Sequence, residues 1–87
     1  MKSHLTKQFV TCFHSLPERI RNLARKNYRL WKQNHYHPSL HFKEIKPGTN
    51  IYSVRIGIGY RAIGVMDDDN IVWFWIGSHE QYNHFIN

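Results

Sequence analysis

Between Tyr52 and Ile58 apolar residues alternate with small or polar ones without a break, which commits this part of the chain to a half-buried sheet. Tyr52, Val54, Ile56 and Ile58 fall on one face, and Ser53, Arg55 and Gly57 on the other, so Arg55 stands on the polar side of a strand. A second run, Tyr60 to Met66, follows Gly59 and carries Arg61 at its start. Asp67-Asp68-Asp69-Asn70 has turn chemistry, and Ile71 to Ile76 is apolar on both faces, the pattern of a central rather than an edge strand. The runs predict an antiparallel meander presenting two arginines, with His79 and Tyr82 just past its last strand. Parity alone does not say whether Arg55 and Arg61 share a face, because the register of the turn between them is open.

The remaining segments have to cover that sheet. Lys2 to Leu5 reads as a short opening strand, and Thr6 as the N-cap of a helix whose Phe9, Cys12, Phe13 and Leu16 recur at i, i+3, i+4 and i+7. Pro17 suits the first position of a second helix, running to about Asn34, with Ile20, Leu23, Ala24, Asn27, Tyr28 and Trp31 along one face. The His37-Pro38 step ends it. Leu40 to Ile45 reads as a strand with Leu40 and Phe42 inward and His41 and Lys43 outward, and Pro47-Gly48-Thr49-Asn50 as a turn. Ser78-His79-Glu80-Gln81 is a capping box opening a last helical turn with Tyr82, Phe85 and Ile86 on one side. The expected fold is α+β and a single domain over residues 1–87: an N-terminal helical hairpin packed on a small antiparallel sheet, closed by a short C-terminal helical turn.

The net charge of +6 is unevenly spread: residues 1–46 carry a balance of +8 and residues 47–87 one of −2. The second helix is therefore basic on its outer side, a surface that draws nucleic acid, an acidic protein or simply water. The single cysteine, Cys12, excludes an internal disulfide and reads as a small buried hydrophobe. No apolar run approaches the roughly 20 residues of a membrane helix, the first residues do not lead into a signal-peptide core, and a cytoplasmic protein is the default. His35, His37 and His41 invite a metal site, but no fourth ligand stands at the required spacing, so exposed loop histidines are the better account and no cofactor is expected. Gly57-Ile58-Gly59 completes no phosphate-loop pattern; the glycines read as permitting a tight turn and the close approach of a partner to the backbone, and Gly64 as a bulge.

Two arginines on adjoining strands, with a histidine and a tyrosine where the meander ends, suit phosphate chemistry. Guanidinium forks hold phosphate oxygens and stabilise the charge of a phosphoryl transition state, and histidine exchanges protons near neutrality. Together they would serve metal-free RNA cleavage, in which the 2′-hydroxyl attacks the adjacent phosphate. Tyr82, or a neighbour such as Tyr60, could stack on a base.

The strings Leu16-Pro17, Tyr28-Arg-Leu-Trp-Lys32, His37-Pro-Ser-Leu-His-Phe-Lys43, Tyr52-Ser-Val-Arg-Ile-Gly57, Gly59-Tyr-Arg-Ala-Ile-Gly64 and Trp73-Phe-Trp-Ile-Gly-Ser-His79 span nearly the whole chain. Through them it resembles the RelE/ParE superfamily of bacterial type II toxins. The resemblance implies the same helical hairpin on an antiparallel sheet, and a cognate antitoxin that covers the basic surface or the active face, with operator DNA reached only through that complex. RelE-type members cleave messenger RNA on the ribosome without metal. Carried across, this assigns Arg55 and Arg61 to phosphate binding, His79 to proton transfer and Tyr82 to proton transfer or stacking. Lys43, Tyr60, Arg25, Arg29 and Lys32 become the RNA-binding set. Ser53 stands where a lysine often lies. ParE-type relatives share the scaffold but poison DNA gyrase, and an inactive member that only binds its partner is a third possibility.

Overall fold

The computed structural model describes residues 1–86. Strand β1 (Lys2–Leu5) leads into helices α1 (Lys7–His14) and α2 (Glu18–Gln33); a 3-10 turn (Pro38–Leu40) and a two-residue strand β2 (Lys43–Glu44) follow. The meander is β3 (Ile51–Ile56), β4 (Tyr60–Asp67) and β5 (Asn70–Ser78), and helix α3 (His79–Ile86) ends the described chain. The strand order is β1-β5-β4-β3-β2. β2, β3, β4 and β5 pair antiparallel, but β1 lies parallel on β5, with Ser3 opposite Ile71 and Leu5 opposite Trp73, so the sheet is mixed. Four residues of β1 carry too little pattern to name a partner or its direction. β5 is thus flanked on both sides, as its two apolar faces require.

Local chemistry sets most boundaries. The Thr6 hydroxyl accepts the Phe9 N–H at 3.0 Å and starts α1. Pro17, expected as the first helical residue of α2, is its N-cap, and the helix starts one residue later at Glu18. The expected strand at Leu40–Ile45 shrinks to β2, because His37-Pro38-Ser39 closes a 3-10 turn first. Its parity survives: Leu40 and Phe42 are buried while His41 and Lys43 are exposed. β3 ends at Ile56, and Ile58, expected to point inward, is 84% exposed at the tip of the β3–β4 turn. Gly57 makes that turn with φ +61, and a Cβ there would lie 2.7 Å from a Leu23 methyl of α2, so the close approach at this glycine is to the chain's own helix. At Gly64 the β4–β5 register shifts, so Gly64 pairs with Trp73 and Phe74 becomes the extra residue of a bulge.

α1 and α2 cover the face bearing Val54, Ile56, Ala62 and Ile76. Trp31, 1% exposed, meets Trp73 edge-on at 5.4 Å and Phe42 at 5.7 Å; such aromatic pairs add about 0.5–1.5 kcal/mol each beyond area burial. The hairpin is splayed: α1 packs on β5 and α2 on β3. α3, longer than the single turn anticipated, lies against β4 and β5, and Phe85 packs at 5.9–6.2 Å from Trp75 and Phe74, the bulged residue. The Cys12 thiol packs at the margin of the core, as its place in the α1 stripe implies.

Candidate functional site

Register decides what the open face of the sheet carries. Arg55 is the direct partner of Arg61, Arg61 of Gly77, Ser53 of both Lys43 and Ile63, and Ile63 of Trp75. Cross-strand partners point the same way, with Cβ atoms about 5 Å apart. The two arginines therefore share a face, the one turned away from α1 and α2. Gly77 lets Trp75 and Gln81 close in over the strand: a Cβ on it would meet the Trp75 ring at 2.5 Å and the Gln81 amide oxygen at 2.6 Å.

Neither guanidinium has a carboxylate partner among the described residues. Arg55 donates from Nε to the Gly57 carbonyl at 2.9 Å and approaches His41 Nε2 at 3.4 Å from a terminal nitrogen. Arg61 donates to its neighbour's carbonyl, that of Tyr60, at 3.1 Å, and its guanidinium carbon stands 6.0 Å from the Tyr82 ring centroid. A guanidinium has five N–H donors, so most of both forks are available to an anion. Burial, and then the Arg55 charge, lower the pKa of Arg61 from its ordinary value, with Tyr82 acting in the opposite sense. Two like charges held side by side form a site that an oxyanion relieves.

The far side of the pair is built by α3. Ser78 caps the helix as its sequence implies: its hydroxyl accepts the Gln81 N–H at 3.1 Å while the Gln81 side chain accepts the Ser78 N–H at 3.0 Å. The His79 N–H donates to the Gly59 carbonyl at 2.7 Å, tying the helix to the β3–β4 turn. His79 is exposed and stacks on Tyr82 with centroids 6.0 Å apart. Tyr82 is only 7% exposed, and its hydroxyl lies 3.4 Å from that of Ser53, itself 2% exposed. Tyr82 thus offers a base little ring surface; it sits beneath Arg61 and beside His79 and fixes both.

Of the wider set, Lys43 shares the arginine face through its pairing with Ser53. Tyr60 packs against the core, on the face of Ile56 and Ala62. Arg25, Arg29 and Lys32 lie exposed on α2, across the sheet from the pair. Arg25 stands over the Phe13 ring at 5.0 Å and Lys32 over Tyr28 at 4.6 Å. The three spaced histidines diverge, His35 to the Trp31 carbonyl at 2.6 Å, His37 to the Ser39 hydroxyl at 2.9 Å and His41 to Arg55. No group of three or more metal-ligating side chains gathers among the described residues. Sequence reasoning passed over Ser53 as a site residue. Only its burial under Tyr82 marks it, and that depends on a helix whose position no periodicity reveals.

A second feature lies on the opposite face. Between the splayed α1 and α2 runs an apolar groove of about 230 Å³, floored by Val54, Ala62, Trp73 and Ile76 and walled by Phe9 and Tyr28. Leu5 and Val10, 48% and 38% exposed, form its rim.

With an α+β sandwich of this topology and an unpaired arginine couple on its free face, the comparison with known proteins is specific. The ParE-like toxin domain family matches residues 18–84, and the chain belongs to that family. Solved structures share the fold. A RelB–RelE antitoxin–toxin complex from Methanococcus jannaschii aligns with a TM-score of 0.76 at 20% identity, covering 97% of this chain and 99% of that one. YafQ from Escherichia coli gives 0.73 at 10% identity over 93% and 96%, and a YoeB/ParE toxin from Agrobacterium tumefaciens 0.70 at 14% over 91% and 99%. No curated protein matches the chain in sequence.

Proposed function

We propose that this chain is the toxin of a type II toxin–antitoxin pair and acts as a metal-free endoribonuclease on messenger RNA at the ribosome, in the cytoplasm. The observation that carries the reading is the Arg55–Arg61 couple, directly opposed on the open face with no carboxylate beside it and with His79 and Tyr82 adjoining. In the reaction the 2′-oxygen attacks phosphorus, the bond to the 5′-oxygen breaks, and the products are a 2′,3′-cyclic phosphate and a 5′-hydroxyl. Arg55 and Arg61 hold the non-bridging oxygens and take up the charge that develops on them. His79, exposed and stacked on Tyr82, donates the proton the leaving 5′-oxygen needs. Tyr82 orients both through its ring, with Ser53 anchoring its hydroxyl. Lys43 holds the RNA backbone on the same face, while Arg25, Arg29 and Lys32 are placed to meet phosphates of the surrounding ribosome rather than the scissile one.

The antitoxin is assigned to the apolar groove between α1 and α2, whose apolar lining suits the apolar side chains of an amphipathic helix; the solved complexes of the same fold support such a partner. The ParE-like family match favours a second reading, inhibition of DNA gyrase. One experiment separates the two. Wild type and Arg61→Ala are induced in a tolerant bacterial host, and RNA 5′ ends are mapped within minutes. New cleavages inside translated messages, absent with Arg61→Ala, are the expected result. Growth arrest with intact messages and broken DNA would move the assignment to gyrase, and absence of any arrest would leave a partner-binding domain without toxicity.

A further inference from the structure

In the proposed reaction one proton-transfer group, His79, acts on the Arg61 side, and the imidazole at Arg55 has no role. Cleavage by the 2′-hydroxyl needs two, since one oxygen loses a proton while another gains one. The attacking and leaving oxygens lie in line, on opposite sides of phosphorus. Two groups clustered on one side of the arginines would reach only one of them.

His41 stands on the vacant side. It follows the Pro38–Leu40 turn with φ 47 and ψ 42, a left-handed conformation that few residues with a Cβ adopt. Its neighbours Leu40 and Phe42, 0% and 6% exposed, are core anchors, so the backbone twist between them turns the imidazole out of the core while the chain on both sides stays fixed. There Nε2 lies 3.4 Å from Arg55. A guanidinium has no acceptor, so the nitrogen facing it carries a lone pair. Arg55 faces the ring, and Lys43, paired with Ser53, stands on the same face of the sheet. His41 leads into β2, which pairs with the Arg55 strand, while α3 rests on β4 and β5, so the two imidazoles come to the guanidinium pair from opposite sides of the sheet.

We propose that His41 is a second catalytic residue, the general base that takes the proton from the 2′-hydroxyl; this rests on the ribonuclease reading above. Phosphate binding draws the Arg55 fork onto the non-bridging oxygens and frees Nε2. The P–O2′ bond forms as the proton passes to His41, and the P–O5′ bond breaks as His79 delivers its proton to the 5′-oxygen. Charge and protons balance without metal, water or redox partner, and exchange with solvent resets both rings. Strain in the backbone at the residue that performs the chemistry fits this role.

The test uses the full chain on programmed ribosomes under single turnover. His41→Gly removes the imidazole and relieves the left-handed backbone, so the variant should fold at least as well as wild type. Its cleavage rate is expected to fall by about 10²–10⁴-fold. A message with sulfur in place of the scissile 5′-oxygen has a leaving group that departs without a proton. On it His79→Ala should recover and His41→Gly should stay slow, a distinction that a merely structural defect would not make. Should the glycine variant fail to fold, His41→Asn, which also tolerates the left-handed region, carries the same comparison. Cleavage by His41→Gly within about threefold of wild type, or its recovery on the sulfur message, would overturn the assignment and leave the nuclease reading intact. A wild-type chain that cuts no message would overturn both.

Discussion

Gly64→Ala tests how the bulge and the core hold the arginine strands together. Gly64 is buried where β4 and β5 slip in register, and a Cβ there would lie 2.8 Å and 3.1 Å from two Trp73 ring carbons and 3.0 Å from an Ile71 carbon. Trp73 cannot swing aside, because Trp31 stands edge-on to it at 5.4 Å and Ser3 holds its indole nitrogen at 3.1 Å. Overpacking of this kind costs about 1–3 kcal/mol, and the loss of glycine's freedom in the unfolded chain returns about 0.4–1 kcal/mol. The net is a destabilisation of about 1–2 kcal/mol, or a fall in Tm of roughly 5–15 °C for a domain of this size. Gly59→Ala is the control. Nothing lies within 4 Å of its added methyl and its φ is not left-handed, so only the unfolded-state effect remains and Tm should rise by a few degrees. Both are read by thermal and urea unfolding at matched concentration. Equal Tm values for the two variants, or a Gly64→Ala chain as stable as wild type, would refute the claim that Trp73 is locked against the bulge.

Two further outcomes follow from the open face. Arg61→Gln should stabilise the fold by about 0.2–1 kcal/mol, the usual cost of like charges directly opposed across a sheet, with the gain shrinking at high salt. The lowered pKa means the folded chain releases the Arg61 proton before the unfolded one, so any change in the gain should appear on the alkaline side, and between about pH 6 and 8 the gain should be flat; unfolding in urea across that range measures it. Lys43→Ala should weaken RNA binding and flatten its salt dependence by about one phosphate contact, whereas Lys32→Ala should leave binding of a short message unchanged. Fluorescence anisotropy across a salt series compares them.

Much of this was legible in the residues. The Thr6 cap, the Ser78–Gln81 box and the alternation through β3 are local chemistry and need nothing beyond a few neighbours. What escaped depends on distant parts of the chain. The pairing of Arg55 with Arg61 required the length of the β3–β4 turn, and the parallel seat of β1 required knowing that the meander returns beside it. Ile58 was misplaced because the alternation continues through a turn that the glycines on either side of it impose. Tyr60 shows the same limit from the other side. It is one residue from Arg61, and in a strand one residue is the opposite face. Arg25, Arg29 and Lys32 form an evident basic stripe, yet whether a basic helix lies over or under the arginines is a question of layers.

The two faces of the sheet divide the work unequally. Towards α1 and α2 lies the aromatic core, with the apolar groove between the two helices. Towards α3 lie the features that cost stability: two facing guanidiniums, a buried serine and a non-glycine residue in left-handed backbone. α3 reconciles them. A helix of eight residues has no stability of its own, so its place is set by the cap at Ser78, the bond from His79 to the Gly59 carbonyl, and Phe85 against Trp75 and Phe74. Because Gly59 belongs to the same turn that brings Arg55 opposite Arg61, the helix can dock only where the arginine pair has formed. His79 and Tyr82 therefore reach the guanidiniums through the same turn that pairs the arginines, and the site is complete only with the last element of the described chain in place.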